Sequence, residues 1–189
     1  MKLLIFFLLI GISYADEYEG KDVMNDISFS SIKGFESKWD IVTIRFRKDT
    51  GEMRITYGNE IAIKTLMSGA INYPDGSIFT KIGFHTTSDS QFESSTVPVG
   101  VSRYQVMVMN KSKYTKTGGW GFALFDPYGL TFREEPSEVQ NACYACHEIV
   151  ENRGGVFSQP FSISPNAKYH FRKDENIPQS NLFKWIAIK

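Results

Sequence analysis

The chain of 189 residues is poor in sulfur, in histidine and in net charge. Its two cysteines, Cys143 and Cys146, stand three residues apart, so no disulfide framework joins distant segments. Lys+Arg and Asp+Glu both total 21. Without a basic surplus to neutralise phosphates, nucleic acid is excluded as an expected partner. After residue 12 no apolar run approaches the ~20 residues that span a bilayer. No methionine follows Met109, and the histidines are only His85, His147 and His170. What is plentiful is aromatic surface, 14% of the chain with 15 Phe and 9 Tyr. That richness suits a strand-heavy core or a pocket around a large flat ligand.

The N-terminus reads as an address. Lys2 precedes an uncharged apolar run, Leu3 to Ile12, and Ser13-Tyr14-Ala15 places small residues around a cleavage point. This is the pattern of a secretory signal peptide over residues 1–15, and ten apolar residues are too few for an anchor. A mature protein exported to a compartment such as the bacterial periplasm is expected, with no membrane association.

Residues 16–39 read as a polar lead-in. Alternation over Ile41–Arg47 and Met53–Tyr57, with Asp49-Thr50-Gly51 between, predicts a hairpin. Asn59 is a good N-cap for a helix ending near Gly69. Tyr73-Pro74-Asp75-Gly76 is a turn opening a strand over 77–86. The Ser/Thr-rich stretch 87–100 reads as an exposed loop. Strands are expected over 103–109, with Tyr104, Val106 and Val108 on one face, and over 120–126. Residues 134–150 read as a helix starting near Pro136 or Ser137. The sum is an α+β protein, an antiparallel sheet of about five strands with a few helices, and no linker divides it.

Both cysteines fall in Cys143-Tyr144-Ala145-Cys146-His147, a C-x-x-C-H motif. This is the attachment signature of c-type haem. Each thiol adds to one vinyl group, and one helical turn sets both sulfurs along one porphyrin edge. The next residue, His147, then lies under the iron as its axial ligand. A redox dithiol and half of a zinc site are the alternatives. The first calls for a βαβ setting and the second for four clustered ligands, of which the sequence places only three together. One covalent haem c per chain is therefore expected.

The motif comes late, behind predicted strands. The absence of downstream methionine leaves His170 as the sole ligand candidate after it, and Met107, Met109 or His85 as upstream ones. An open sixth position, able to bind or transform a small ligand, is the leading expectation. Aromatic residues such as Phe79, Phe84, Phe122 and Phe157 are candidates to line an apolar pocket, with Trp120 equally at home in a core.

An ordered set of features resembles the cytochrome P460 family, which includes the β-sheet cytochromes c′. These are Arg54-Ile55-Thr56-Tyr57-Gly58-Asn59, the Tyr73–Gly76 turn leading to Lys81, Gly119-Trp120-Gly121-Phe122, the Cys143–His147 motif, and Val156-Phe157. The resemblance covers about residues 40–160 as one haem domain; 161–189 is a C-terminal extension beyond it. It implies a homodimeric, sheet-dominated cytochrome with five-coordinate iron. In one branch a lysine is cross-linked to the porphyrin and hydroxylamine is oxidised, with a redox partner protein taking the electrons. In the other no cross-link forms and nitric oxide or similar gases bind. Lys81 matches the position of the cross-linking lysine, although a lysine on a strand is ordinarily a solvent-facing charge. Arg54 matches a distal arginine that could orient a ligand or a propionate. Glu138, five residues before Cys143, is a candidate carboxylate for proton transfer. Plain electron transfer remains a third reading.

Overall fold

A computed structural model of the protein describes residues 20–22, 25–131 and 136–157. Residues 1–15, where a signal peptide is expected, and the extension 161–189, with His170, lie outside the described residues.

Five strands form one antiparallel sheet in the order β3-β4-β5-β6-β7. They are β3 (Asp40–Arg47), β4 (Glu52–Gly58), β5 (Ile78–Ser88), β6 (Thr96–Met109) and β7 (Trp120–Phe125). Two short strands, β1 (Lys21–Asp22) and β2 (Ile27–Ser28), pair separately. The helices are α1 (Phe35–Lys38), α2 (Glu60–Ser68) and α3 (Pro136–Glu148). The α+β expectation holds.

Local chemistry accounts for the joints. Asn59 caps α2 by accepting from the Ala62 amide at 3.1 Å, and Gly69 ends it in the left-handed conformation at φ 73°. The same Asn59 side chain accepts from Ile78 N at 3.1 Å and donates to Gly76 O at 2.8 Å. One residue thus starts a helix and anchors β5 across the turn.

The stretch 87–100 departs from its expected loop. β5 and β6 stay paired through Thr86↔Pro98, Thr87↔Val97 and Ser88↔Thr96, leaving only 89–95 outside the strands. This end of the hairpin is largely solvated, and Pro98 and Gly100 between Val97, Val99 and Val101 mask the strand in the sequence. Threonine and serine satisfy an exposed ladder as readily as a loop.

Alternation gives the sheet two faces. One carries Ile82, Val106, Ala123 and Phe125 and packs against Ile27, Ile32 and Phe35 from the N-terminal segment. That segment therefore contributes core rather than only leading in. Phe84 packs on this side, not in the pocket for which it was a candidate. The opposite face carries Phe79, Met107 and Phe122 and packs against Ala62 of α2, Tyr73 and Val156, with Cys143 and Tyr144 of α3 beside them.

Candidate haem site

Between the second face and α3 lies a cavity of about 410 Å³. Its sheet wall is two adjacent cross-strand rows. One is polar, Thr56–Lys81–Gln105, and the next is apolar, Phe79–Met107–Phe122. Cys143, Cys146 and His147 line it from α3, Val156 and Phe157 from the segment after it, and Arg45 and Arg47 from β3.

A buried glutamine fastens α3 to the sheet. β7 is an edge strand, so half of its backbone groups have no neighbouring strand. Gln140 Oε1 accepts from Phe122 N at 3.0 Å, and its Nε2 donates to Trp120 O at 3.2 Å and Thr117 Oγ1 at 3.1 Å. Cys143 and His147 follow Gln140 by three and seven residues, which sets all three along one side of the helix. Gln140→Leu keeps the volume but strands buried polar groups of β7. It is expected to cost about 2–3 kcal/mol, read as a lower urea midpoint.

His147 is oriented by the backbone beyond its own helix. Its Nδ1 lies 2.6 Å from Gly155 O. A carbonyl can only accept, so Nδ1 carries the proton and Nε2 keeps its lone pair for a metal. Burial lowers the imidazole pKa below its ordinary value, keeping the ring neutral. Phe122 and Phe157 flank it, with ring centroids at 5.1 and 5.2 Å. Cys143 is half-buried and Cys146 exposed, and neither is in a disulfide. Among the described residues, no group of three or more His, Cys, Asp or Glu is arranged to hold a bare metal ion.

Lys81 faces this cavity rather than the outer surface. Burial pushes its pKa down to about 8, and the Arg54 charge acts in the same direction. It has no hydrogen-bond or carboxylate partner among the described residues. Arg54 also lines the cavity. Its guanidinium is held by Glu52, with Nε 2.8 Å from Oε2. Arg103 reaches the same oxygen at 2.7 Å, and Ser102 Oγ donates to Oε1 at 2.7 Å.

Glu52 is the carboxylate that sequence reasoning missed. Burial acts to raise its pKa, but the bonds from Ser102, Arg54 and Arg103 outweigh it and hold it at about 2. Glu138, the carboxylate expected there, is exposed in the first turn of α3 and does not line the cavity. A first-turn acid complements the helix dipole instead. Of the upstream ligand candidates, Met107 lines the cavity, Met109 is buried in the core beside it, and His85 is exposed.

The family model of Cytochrome P460 matches residues 32–158, about two thirds of the chain. The chain belongs to the cytochrome P460 family. No curated protein matches it. Membership implies a c-type haem and chemistry on nitrogen compounds.

The cavity fits that group on its own chemistry. Phe79, Met107, Phe122 and Phe157 form apolar walls for a macrocycle, with two thiols and one ligand nitrogen beside them. Arg45, Arg47, Arg54 and Lys81 line it, and among the described residues no carboxylate does; Arg47 is paired with Asp49 and Arg54 with Glu52, so Arg45 and Lys81 are the cations best placed to meet propionates. Gln105 Oε1 is buried in the wall without a partner among the described residues, an acceptor awaiting a donor.

Proposed function

We propose that the protein is an exported mono-haem c-type cytochrome acting in redox chemistry on hydroxylamine or nitric oxide. Cys143 and Cys146 hold the haem by thioethers, His147 Nε2 is the axial ligand, and the sixth position is open. The observation that carries this reading is the shared cavity: two thiols at C-x-x-C spacing line it with a histidine whose Nδ1 is engaged by Gly155 O. Haem in this site supplies the one-electron steps that oxidise or bind a small nitrogen ligand.

The residues around it have separable tasks. Arg54, fixed by Glu52, is a preset donor toward a bound ligand or a propionate. Lys81, with its pKa near 8, has a larger free-amine fraction at neutral pH than an ordinary lysine. The free amine is the form that takes up a proton or forms a covalent bond to the porphyrin. A homodimer and a protein acceptor for the electrons belong to the same proposal, as does export directed by residues 1–15.

Electron transfer is the second reading, favoured by one observation: Met107 lines the cavity and is a possible sixth ligand. The optical spectrum separates the two. A resting ferric protein that is high-spin supports the open site; a low-spin spectrum altered by Met107→Ala supports electron transfer. Lys81→Ala is expected to keep haem attached while hydroxylamine turnover with an added acceptor falls at least tenfold. In the wild type, haem should be recovered on the peptide containing Lys81. An intact Lys81 peptide together with no turnover would mean a gas-binding protein.

A further inference from the structure

The segment after α3 is clasped from both edges of the sheet. Trp120 Nε1, at the start of edge strand β7, donates to Gly154 O at 2.8 Å. The next carbonyl, Gly155 O, takes His147 Nδ1 at 2.6 Å. Two residues on, Phe157 O accepts from Arg45 Nη2 at 2.7 Å, and Arg45 belongs to the opposite edge strand, β3.

Both glycines are required where they stand. Gly154 and Gly155 have φ of 67° and 76°. A Cβ on Gly154 would come within 2.1 Å of Ile71 O, and one on Gly155 within 3.2 Å of Trp120 Nε1. The indole therefore bonds to the Gly154–Gly155 peptide and occupies the space that a side chain at Gly155 would enter. Little freedom remains for the carbonyl that meets His147.

We propose that Trp120 is a positioning residue that sets the strength of the His147 axial bond, acting through the Gly154–Gly155 peptide. The proposal rests on haem ligation by His147. A well-aligned Nδ1–H···O=C bond places more electron density on Nε2 and makes the imidazole a stronger donor. A stronger donor favours ferric over ferrous iron. Loss of the indole N–H removes one of the two bonds on this peptide, leaving Gly155 N on Val150 O at 3.1 Å, so the neighbouring Gly155 carbonyl is less firmly aimed, its bond to His147 weakens and the reduction potential rises.

The test uses the haem-loaded full chain and Trp120→Phe, which keeps an aromatic ring but no donor. Haem should remain covalently attached. The oxidised-to-reduced ratio at a fixed potential should fall about tenfold, ~59 mV for one electron. The iron–histidine stretch of the ferrous protein should move to lower frequency. Tyr73→Phe is the packing control, since Tyr73 lies 5.4 Å from the Trp120 ring and makes no bond to the segment; it should change neither value. If Trp120→Phe does not fold, β-(3-benzothienyl)alanine at position 120 removes the N–H at constant shape. An unchanged potential and stretch in a fully haem-loaded variant overturn the proposal. A wild-type protein without haem on the Cys143–His147 peptide overturns the underlying reading instead.

Discussion

Serine at both Cys143 and Cys146 leaves a protein that no longer carries haem through denaturing electrophoresis. Each thiol has one task in this reading, a thioether to one vinyl group, and no other cysteine exists to substitute. The double variant is expected to retain less than a tenth of the wild-type haem stain. Each single variant should keep a weaker band on its remaining thioether. The fold itself should survive, because neither sulfur forms a disulfide and Cys146 is exposed. The cavity and the His147 Nε2 remain in the double variant. Haem supplied under native conditions should therefore bind and then be stripped by denaturant. That contrast separates loss of attachment from loss of the site. Equal haem staining in wild type and double variant would sink covalent attachment.

Glu52→Gln is expected to lower stability at pH 7 by about 3 kcal/mol, the second large effect. Only 7% of Glu52 is exposed, and its carboxylate balances Arg54 and Arg103 at once. The amide keeps the shape and one acceptor but removes the charge. Arg54, nearly as buried as its partner, is then left without compensation. The pH dependence has a definite sign. The folded-state pKa of about 2 lies below the ordinary 4.5, so the unfolded chain binds this proton more readily than the folded one. The stabilisation is complete above about pH 4.5 and is lost as pH falls through the folded value near 2. Urea midpoints followed from pH 7 to pH 2 should decline steeply in the wild type and less in Glu52→Gln. Parallel curves for the two proteins would mean that Glu52 is not the group responsible. Arg54 loses its fixed direction in the same variant, so ligand affinity at the haem should drop along with stability.

These two predictions draw on different levels of the molecule. The Cys143–His147 motif is local: its chemistry depends on five consecutive residues and one helical turn, so it was legible without a fold. The strands over 40–47, 52–58 and 120–125 were legible for a related reason, since alternation is also local. Asn59 and Gly69 marked the ends of α2 because caps act within one turn of the chain.

Glu52 was not legible. An acid at the end of a hairpin turn looks solvated, and its burial arises only when Ser102 and Arg103, some fifty residues away, are paired beside it. Gln140 gave no signal either, because its partners, two backbone groups of an edge strand and the Thr117 hydroxyl, are distant in sequence. Phe79 and Phe84 lie five residues apart on one strand and pack on opposite faces. Aromatic content could not separate them.

Lys81 marks the boundary most clearly. The order of residues in β5 already required that it point away from Thr80 and Ile82, because side chains alternate along any strand. The C-x-x-C-H motif at Cys143–His147 was equally legible, since it is contained in five consecutive residues. Neither could say which side of the sheet would be closed by α3 and which by the N-terminal segment. That choice is made by contacts between distant segments, the Gln140 clasp on β7 and the packing of Ile32 and Phe35 under the opposite face. Once those contacts form, Lys81 ceases to be a surface charge and becomes part of a cavity wall, its pKa lowered by the loss of water around it.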